Sequence, residues 1–467
     1  MQGESNSLKV CHVFAGAEGG RWVYDQLDAL RAHACDPVAA LGGEEGSLVD
    51  LCRAANIPVK SFDFRIFGWR AMLSYPLRVI RMALWMRKQR FDVVQSHIIP
   101  STLFSRPAAW LADVPVRLEM STSPYYMQAP SIRWMEKATA WMETGLIPSC
   151  ELTSVLYRQA GLSPKLIQPT LYYGPHEDRF VPEQAVPEGF REEFGLPADT
   201  PLIGSIAVFY AKCHSSSFVP PETRNRYIKG HTDLIEALPI VMKEYPKARL
   251  VLIGCGWGPS GPQTESELKQ FVRDAGLEGF VFFAGWRPST PSVLVDLDVS
   301  VQASVNENLG GTVESLLMAR PTVATRVGGM VDSVVDGETG ILANPGDPAD
   351  LARGILELLR DSARAAELGR AGRERMLSRF TLTTTVPKLA EIYRRQRREA
   401  RGAGRLHVGL MRLPLGGIVA IPILLRALLV DIVLLNMVPG KIRRWRRRLG
   451  NGADGSPSAL PPTKHRA

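Results

Sequence analysis

The stretch from Asp298 to Gly340 leaves few folds open to this chain. A short β-branched run, Val299 to Val301, gives way to a polar loop, then to Gly310-Gly311, then to an apolar helical pattern from Thr312 to Ala319. That order predicts a strand, a loop of a size to hold a phosphate, and a helix start. Two glycines at the mouth of a helix let backbone N–H groups approach an anion closely, and the unpaired amides and helix dipole there favour negative charge. Glu307 precedes the glycines and Glu314 lies one turn into the helix, so both carboxylates can face whatever lies over that helix end. A nucleoside diphosphate bearing polyhydroxylated groups suits this layout, with amides on the phosphates and carboxylates accepting from sugar hydroxyls.

The same residues resemble the donor-site signature of retaining glycosyltransferases of family four, enzymes of the GT-B fold. Ser304, Glu314, Pro321 to Thr325 and Val327-Gly328-Gly329 fall into the family pattern, as do Asp336-Gly337 and Thr339-Gly340. The family places seven residues between its two glutamates, whereas six separate Glu307 from Glu314 here. Either Glu307 reaches the sugar across a tighter loop or Asn306 holds the family position. The resemblance implies an α/β protein with two Rossmann-like domains facing each other across a cleft. It also implies transfer of a sugar from a UDP- or GDP-sugar with the anomeric configuration retained, and no metal or other cofactor. Amides of Gly310, Gly311 and Thr312 with Lys229 would hold the pyrophosphate, Glu314 the nucleotide ribose, and Glu307 the donor sugar hydroxyls.

Elsewhere the chain reads as alternating strands and helices. Leu8 to Ala15 is a buried-strand run followed by a glycine loop, where Gly19 and Gly20 resemble the family pair that nears the donor phosphates from the opposite domain. Phe91 to His97 is a strand whose end presents His97, placed as in the family's Ser-His turn and so a candidate for catalysis; the family's second His has no counterpart, and Glu119, Ser121 and Thr122 occupy that region. Pro169 to Phe180 resembles the inter-domain hinge. In the second domain Lys229-Gly230-His231 matches the family's Lys-Gly, but its strand-end Arg is missing. A polar insertion from Tyr210 to Ile228 offers Arg224, with Arg226 or Lys212 as substitutes, to neutralise charge on the leaving diphosphate. Gly254 resembles a glycine near the nucleotide base. Asp296-Leu297-Asp298 imitates a metal-binding Asp-x-Asp, but no further ligands cluster nearby.

Six scattered cysteines form no zinc or disulfide spacing and predict a reduced, cytoplasmic protein. The net charge of +9 is concentrated late: Arg394 to Arg448 holds fourteen Lys/Arg against two acids. The catalytic body is therefore mildly acidic, which argues against nucleic acid as a partner and for an anionic surface near the C-terminus. Leu413 to Val438 is apolar but broken by Pro414, Pro422, Arg426 and Asp431, too interrupted to span a bilayer. With Lys441 to Arg448 behind it, 413–448 predicts an in-plane membrane anchor or a docked partner helix. Phe64 to Arg90 mixes apolar residues with arginines and reads either as a core helix with solvated arginines or as an amphipathic membrane-facing surface.

The expected organisation is a first, acceptor-side Rossmann-like domain over 1–180, a nucleotide-sugar domain over 195–380 and a crossover helix over 381–404. A membrane-associating segment over 405–448 and a disordered tail over 449–467 follow. The acceptor expected is a lipid-linked or cell-envelope glycan, met at the inner face of the cell membrane. A non-catalytic subunit of the same fold stays open, because the hinge Asn, the strand-end Arg and the acceptor-side His are absent; a nucleotide-sugar epimerase is the other alternative.

Overall fold

Two six-stranded parallel sheets organise the chain in a computed structural model that describes residues 7–66 and 68–402. The first sheet takes β1 (Leu8–Phe14), β2 (Cys35–Leu41), β3 (Val59–Ser61), β4 (Val93–Ser96), β5 (Val116–Met120) and β6 (Gly145–Ile147) in the order β3-β2-β1-β4-β5-β6. The second takes β7 (Leu202–Ile206), β8 (Arg249–Ile253), β9 (Val281–Gly285), β10 (Val299–Gln302), β11 (Thr322–Thr325) and β12 (Ile341–Ala343) in the order β12-β11-β10-β7-β8-β9. Helices cover both faces of each sheet, which is why β4, β10 and β11 are buried at every position, their serines, threonines and glutamines included. Strand order reverses between β1 and β4 and between β7 and β10. Open sheets of this kind bind ligands beyond the carboxyl ends of the strands at such reversals.

The last helix, Leu382–Gly402, returns to the first half, where Leu389, Ala390 and Tyr393 pack with Val10, Val93 and Val116. The segment between β7 and the helix His231–Met242 also crosses over. Ser131 N donates to Ser217 O at 2.9 Å, their hydroxyls meet at 2.7 Å, and Phe218 packs on the cluster of Ile99, Leu103, Ile132 and Met135. A third link is Glu151 N donating to the Asp332 carboxylate at 2.8 Å.

Arg106, on the helix Ile99–Leu111, is fully buried among three carboxylates. Its Nη2 donates to Glu119 at 2.7 Å and Glu136 at 2.8 Å, its Nε to Glu143 at 3.0 Å, and its Nη1 to Glu136 at 3.2 Å and Thr139 Oγ1 at 2.6 Å. Glu119 is thus held in the core rather than offered to an acceptor. The expected membrane-associating segment over 405–448 and the disordered tail lie outside the described residues. Among those described, no helix is long and apolar enough to cross a membrane.

Candidate active site

The reversal between β7 and β10 assembles the charged residues. Gly230 stands at φ 64°, and a Cβ there would lie 1.9 Å from Ala303 O, so only glycine lets the Lys229 loop close onto the loop after β10. Val305 N donates to Ile228 O at 2.9 Å and fixes that approach. The consequence is an ion pair between Lys229 Nζ and Glu307 Oε2. Glu307 also accepts from Asn308 N at 3.0 Å and Ser304 Oγ at 3.4 Å. The turn Val327-Gly328-Gly329 presses against it, since a Cβ on Gly328 would meet Glu307 O at 1.7 Å. Burial works against the Lys229 ammonium, but Glu307, Tyr210 and Glu314 outweigh it and hold its pKa above the ordinary lysine value.

Asn306 turns the other way. Its Nδ2 donates to Gln128 Oε1 of the first half at 2.6 Å and meets Glu222 of the insertion at 3.4 Å. Of the two residues between which the sequence leaves a choice, Glu307 is the one beside Lys229.

Glu314 is half-buried, and its Oε2 has no hydrogen-bond partner. Burial raises its pKa, with Arg179 and Lys229 pulling down and Glu307 pushing up, so these four side chains share one electrostatic neighbourhood. Arg179 was not among the residues singled out from sequence. It sits in the short turn Glu177–Arg179 of the linker, 3.8 Å from Asp25 on the helix Arg21–Leu30 that follows Gly19-Gly20. Its one sequence signal is its place in the hinge-like run, beside Phe180. The glycine loop itself faces the second half: a Cβ on Gly19 would lie 3.4 Å from the Trp257 ring.

Several expected site residues are placed otherwise. His97 is completely buried, its Nδ1 3.1 Å from Tyr173 Oη and its Nε2 3.0 Å from His12 Nδ1; His12 in turn meets Tyr393 Oη at 2.9 Å. Burial, with His12 beside it, pushes its pKa well down. A catalytic role for His97 is therefore corrected: the ring is buried and both its nitrogens are engaged inside the first half. Thr312 is also fully buried, its amide 3.4 Å from Leu309 O and its hydroxyl 2.7 Å from Ser333 Oγ, so it presents nothing to a phosphate. Gly311 N is 3.3 Å from Gln302 Oε1. Gly310, at φ 54°, lies over the Glu307 side chain.

Arg224 does not join Lys229. The insertion folds on itself there, Arg224 bridging to Cys213, with Nη2 3.4 Å from Val219 O. Arg226 pairs with Asp233 at 3.0 Å, and Lys212 lies over the Tyr227 ring at 4.9 Å. Gly254, at φ 142°, packs against Ala207 O, and its N donates to Gly285 O at 2.9 Å. The Asp296 and Asp298 carboxylates are taken by Phe190 N, Leu202 N and Arg191.

Residues 222–361 match the family model described as glycosyl transferases group 1. The chain is 26% identical over 385 residues to the lipopolysaccharide core biosynthesis glycosyltransferase LpsE of Rhizobium meliloti (strain 1021), covering 80% of this chain and 95% of that protein. It is 30% identical over 211 residues to a D-inositol 3-phosphate glycosyltransferase of Corynebacterium kroppenstedtii, which is 44% of this chain and 43% of that one. Among solved structures, Anabaena Alr3699/HepE in complex with UDP and glucose superposes with a TM-score of 0.67 at 20% identity, over 82% of this chain and 99% of that one. Sucrose-phosphate synthase from Thermosynechococcus elongatus gives 0.66 at 19%, over 83% and 98%.

Proposed function

From the premise that this chain is a glycosyltransferase with a group 1 domain in a GT-B fold, we propose that it moves a sugar from a UDP- or GDP-sugar to a lipid-linked or cell-envelope glycan with retained anomeric configuration. The observation that carries the reading is the Lys229–Glu307 pair beside the unpartnered Glu314 at the carboxyl ends of β7 and β10.

In this reading Lys229 turns from Glu307 to the donor pyrophosphate and neutralises the charge that develops as the bond from C1 to the β-phosphate oxygen breaks. The Gly310 and Gly311 backbone lies alongside. Glu307 accepts from the donor sugar hydroxyls and Glu314 from the ribose. The acceptor oxygen bonds to C1 on the face the diphosphate leaves, and its proton passes to the departing phosphate oxygen. No metal enters this scheme, since Lys229 supplies the compensating charge. Such an acceptor fits a protein held at the inner face of the cell membrane by the apolar and polybasic stretch over 413–448.

The test is release of UDP or GDP from a panel of nucleotide sugars by the full-length protein, beside Glu314→Ala and Lys229→Ala. Release from one donor, lost in both variants, is the expected result. If no donor is bound or turned over, the reading fails.

A further inference from the structure

The helix Trp69–Gln89 has two apolar faces, one buried and one exposed. Tyr75, Val79, Met82, Ala83 and Met86 are buried in a core cluster with Phe104 and Ala108 of the helix Ile99–Leu111 and Cys11 and Val13 of β1. Trp69, Leu73, Leu77 and Leu84 point out, 55%, 76%, 61% and 64% exposed. At 3.6 residues per turn these four fall within an arc of about 80°, a continuous stripe rather than scattered exposures. Single exposed apolar residues are ordinary; a stripe of four on one helix is an interaction surface. Exposed Arg70, Arg81, Arg87 and Lys88 border it, Arg70 lying over the Trp69 ring at 5.1 Å, and no acid occurs from Phe64 to Arg90.

We propose that this outward face is a lipid-docking surface, seated flat on an anionic bilayer. An apolar stripe with a purely basic border matches an interface whose surface is negative and whose interior is hydrocarbon. The position supports this occupant. Arg78 of the same helix donates to Asp63 O at 2.9 Å and so ties the helix to the rim of a cleft of about 610 Å³ at the carboxyl ends of β1 to β3. Ser61, Asp63 and Arg65 line that cleft beside the apolar Phe62, Phe64 and Ile98, a mixed recess for a glycan head whose lipid stays in the membrane. This use of the cleft rests on the glycosyltransferase reading; the docking face does not.

The experiment uses full-length protein with vesicles of phosphatidylcholine, with and without phosphatidylglycerol, carrying bromine on their acyl chains. Wild-type tryptophan emission should be quenched on the anionic vesicles, and Trp69→Phe should remove part of that quenching. Leu73→Ser with Leu77→Ser should lower vesicle partition by about tenfold or more, since two leucines no longer leave water. Donor hydrolysis should be unchanged in these variants. The proposal is overturned if the protein binds no anionic vesicle, or if Trp69→Phe leaves the quenching unaltered. It is equally overturned if the leucine variant converts a lipid-free dimer to a monomer, which would make the face a self-interface. Quenching without turnover of any donor would remove the acceptor reading and leave the lipid surface standing.

Discussion

Lys229→Ala is the perturbation that bears most directly on the site. The ammonium is half-buried beside Glu307 and 5.9 Å from the Tyr210 ring, so its field is screened less than that of a surface lysine. A unit charge at about 4 Å from a developing phosphate charge is worth about 4 kcal/mol at an effective dielectric near 20. Loss of one preorganised stabilising group from an active site removes about 3–4 kcal/mol, so kcat should fall by about two to three orders of magnitude. The variant also leaves the Glu307 carboxylate without its cation where the donor phosphates enter, and donor KM should rise with it. Lys229→Arg keeps the charge on a longer, planar group and should recover part of kcat. The assay is steady-state release of the nucleoside diphosphate from the donor found in the panel. If Lys229→Ala keeps kcat/KM within about threefold of wild type, the lysine only braces the loop through Glu307, and the leaving-group argument is wrong.

Because burial raises the Glu314 pKa, donor KM should climb on acidification from a higher pH than an ordinary glutamate would give, and Glu314→Gln should flatten that limb; an unchanged pH profile contradicts the assignment. Gly230→Ala would put a Cβ 1.9 Å from Ala303 O at a positive φ, so it should separate Lys229 from Glu307 and weaken donor binding about tenfold or more, read by titration calorimetry. Arg106→Met should destabilise the first half by about 3–5 kcal/mol in urea unfolding, because it strands buried carboxylates; a loss below about 1 kcal/mol would mean that the site fills with water.

What could be read from the sequence followed the periodicity of the chain. Short β-branched runs gave the strands, and the glycines after β10 marked the loop where Lys229 and Glu307 meet. The crossover helix expected over residues 381–404 corresponds to Leu382–Gly402, which packs with Val10, Val93 and Val116 of the first half. What could not be read depends on partners remote in sequence. His97 has a ligand-binding address at the end of β4, yet its ring is claimed by His12, 85 residues away, and by Tyr173 in the linker. Arg224 has a suitable spacing to Lys229, but the insertion that carries it folds against the first half through Ser217 and Phe218. Arg179 enters the site only because the linker lays it between Asp25 and Glu314, a juxtaposition no local pattern encodes.

The Arg106 cluster has a consequence in proton accounting. Three carboxylates surround one guanidinium, with Arg117 acting on Glu143 as a second cation, so burial favours proton uptake by the carboxylates of that space. Glu136 faces Arg106 with both oxygens. Burial raises the pKa of both Glu119 and Glu143. Above the ordinary glutamate range the folded chain therefore holds protons that the unfolded chain has released, and folding of the first half takes protons up. By linkage this contribution to stability falls as pH rises from that range through the raised values, and it is largest on the acid side. An unfolding free energy measured against pH should show this slope in wild type, and replacing both Glu119 and Glu143 with glutamine should remove it.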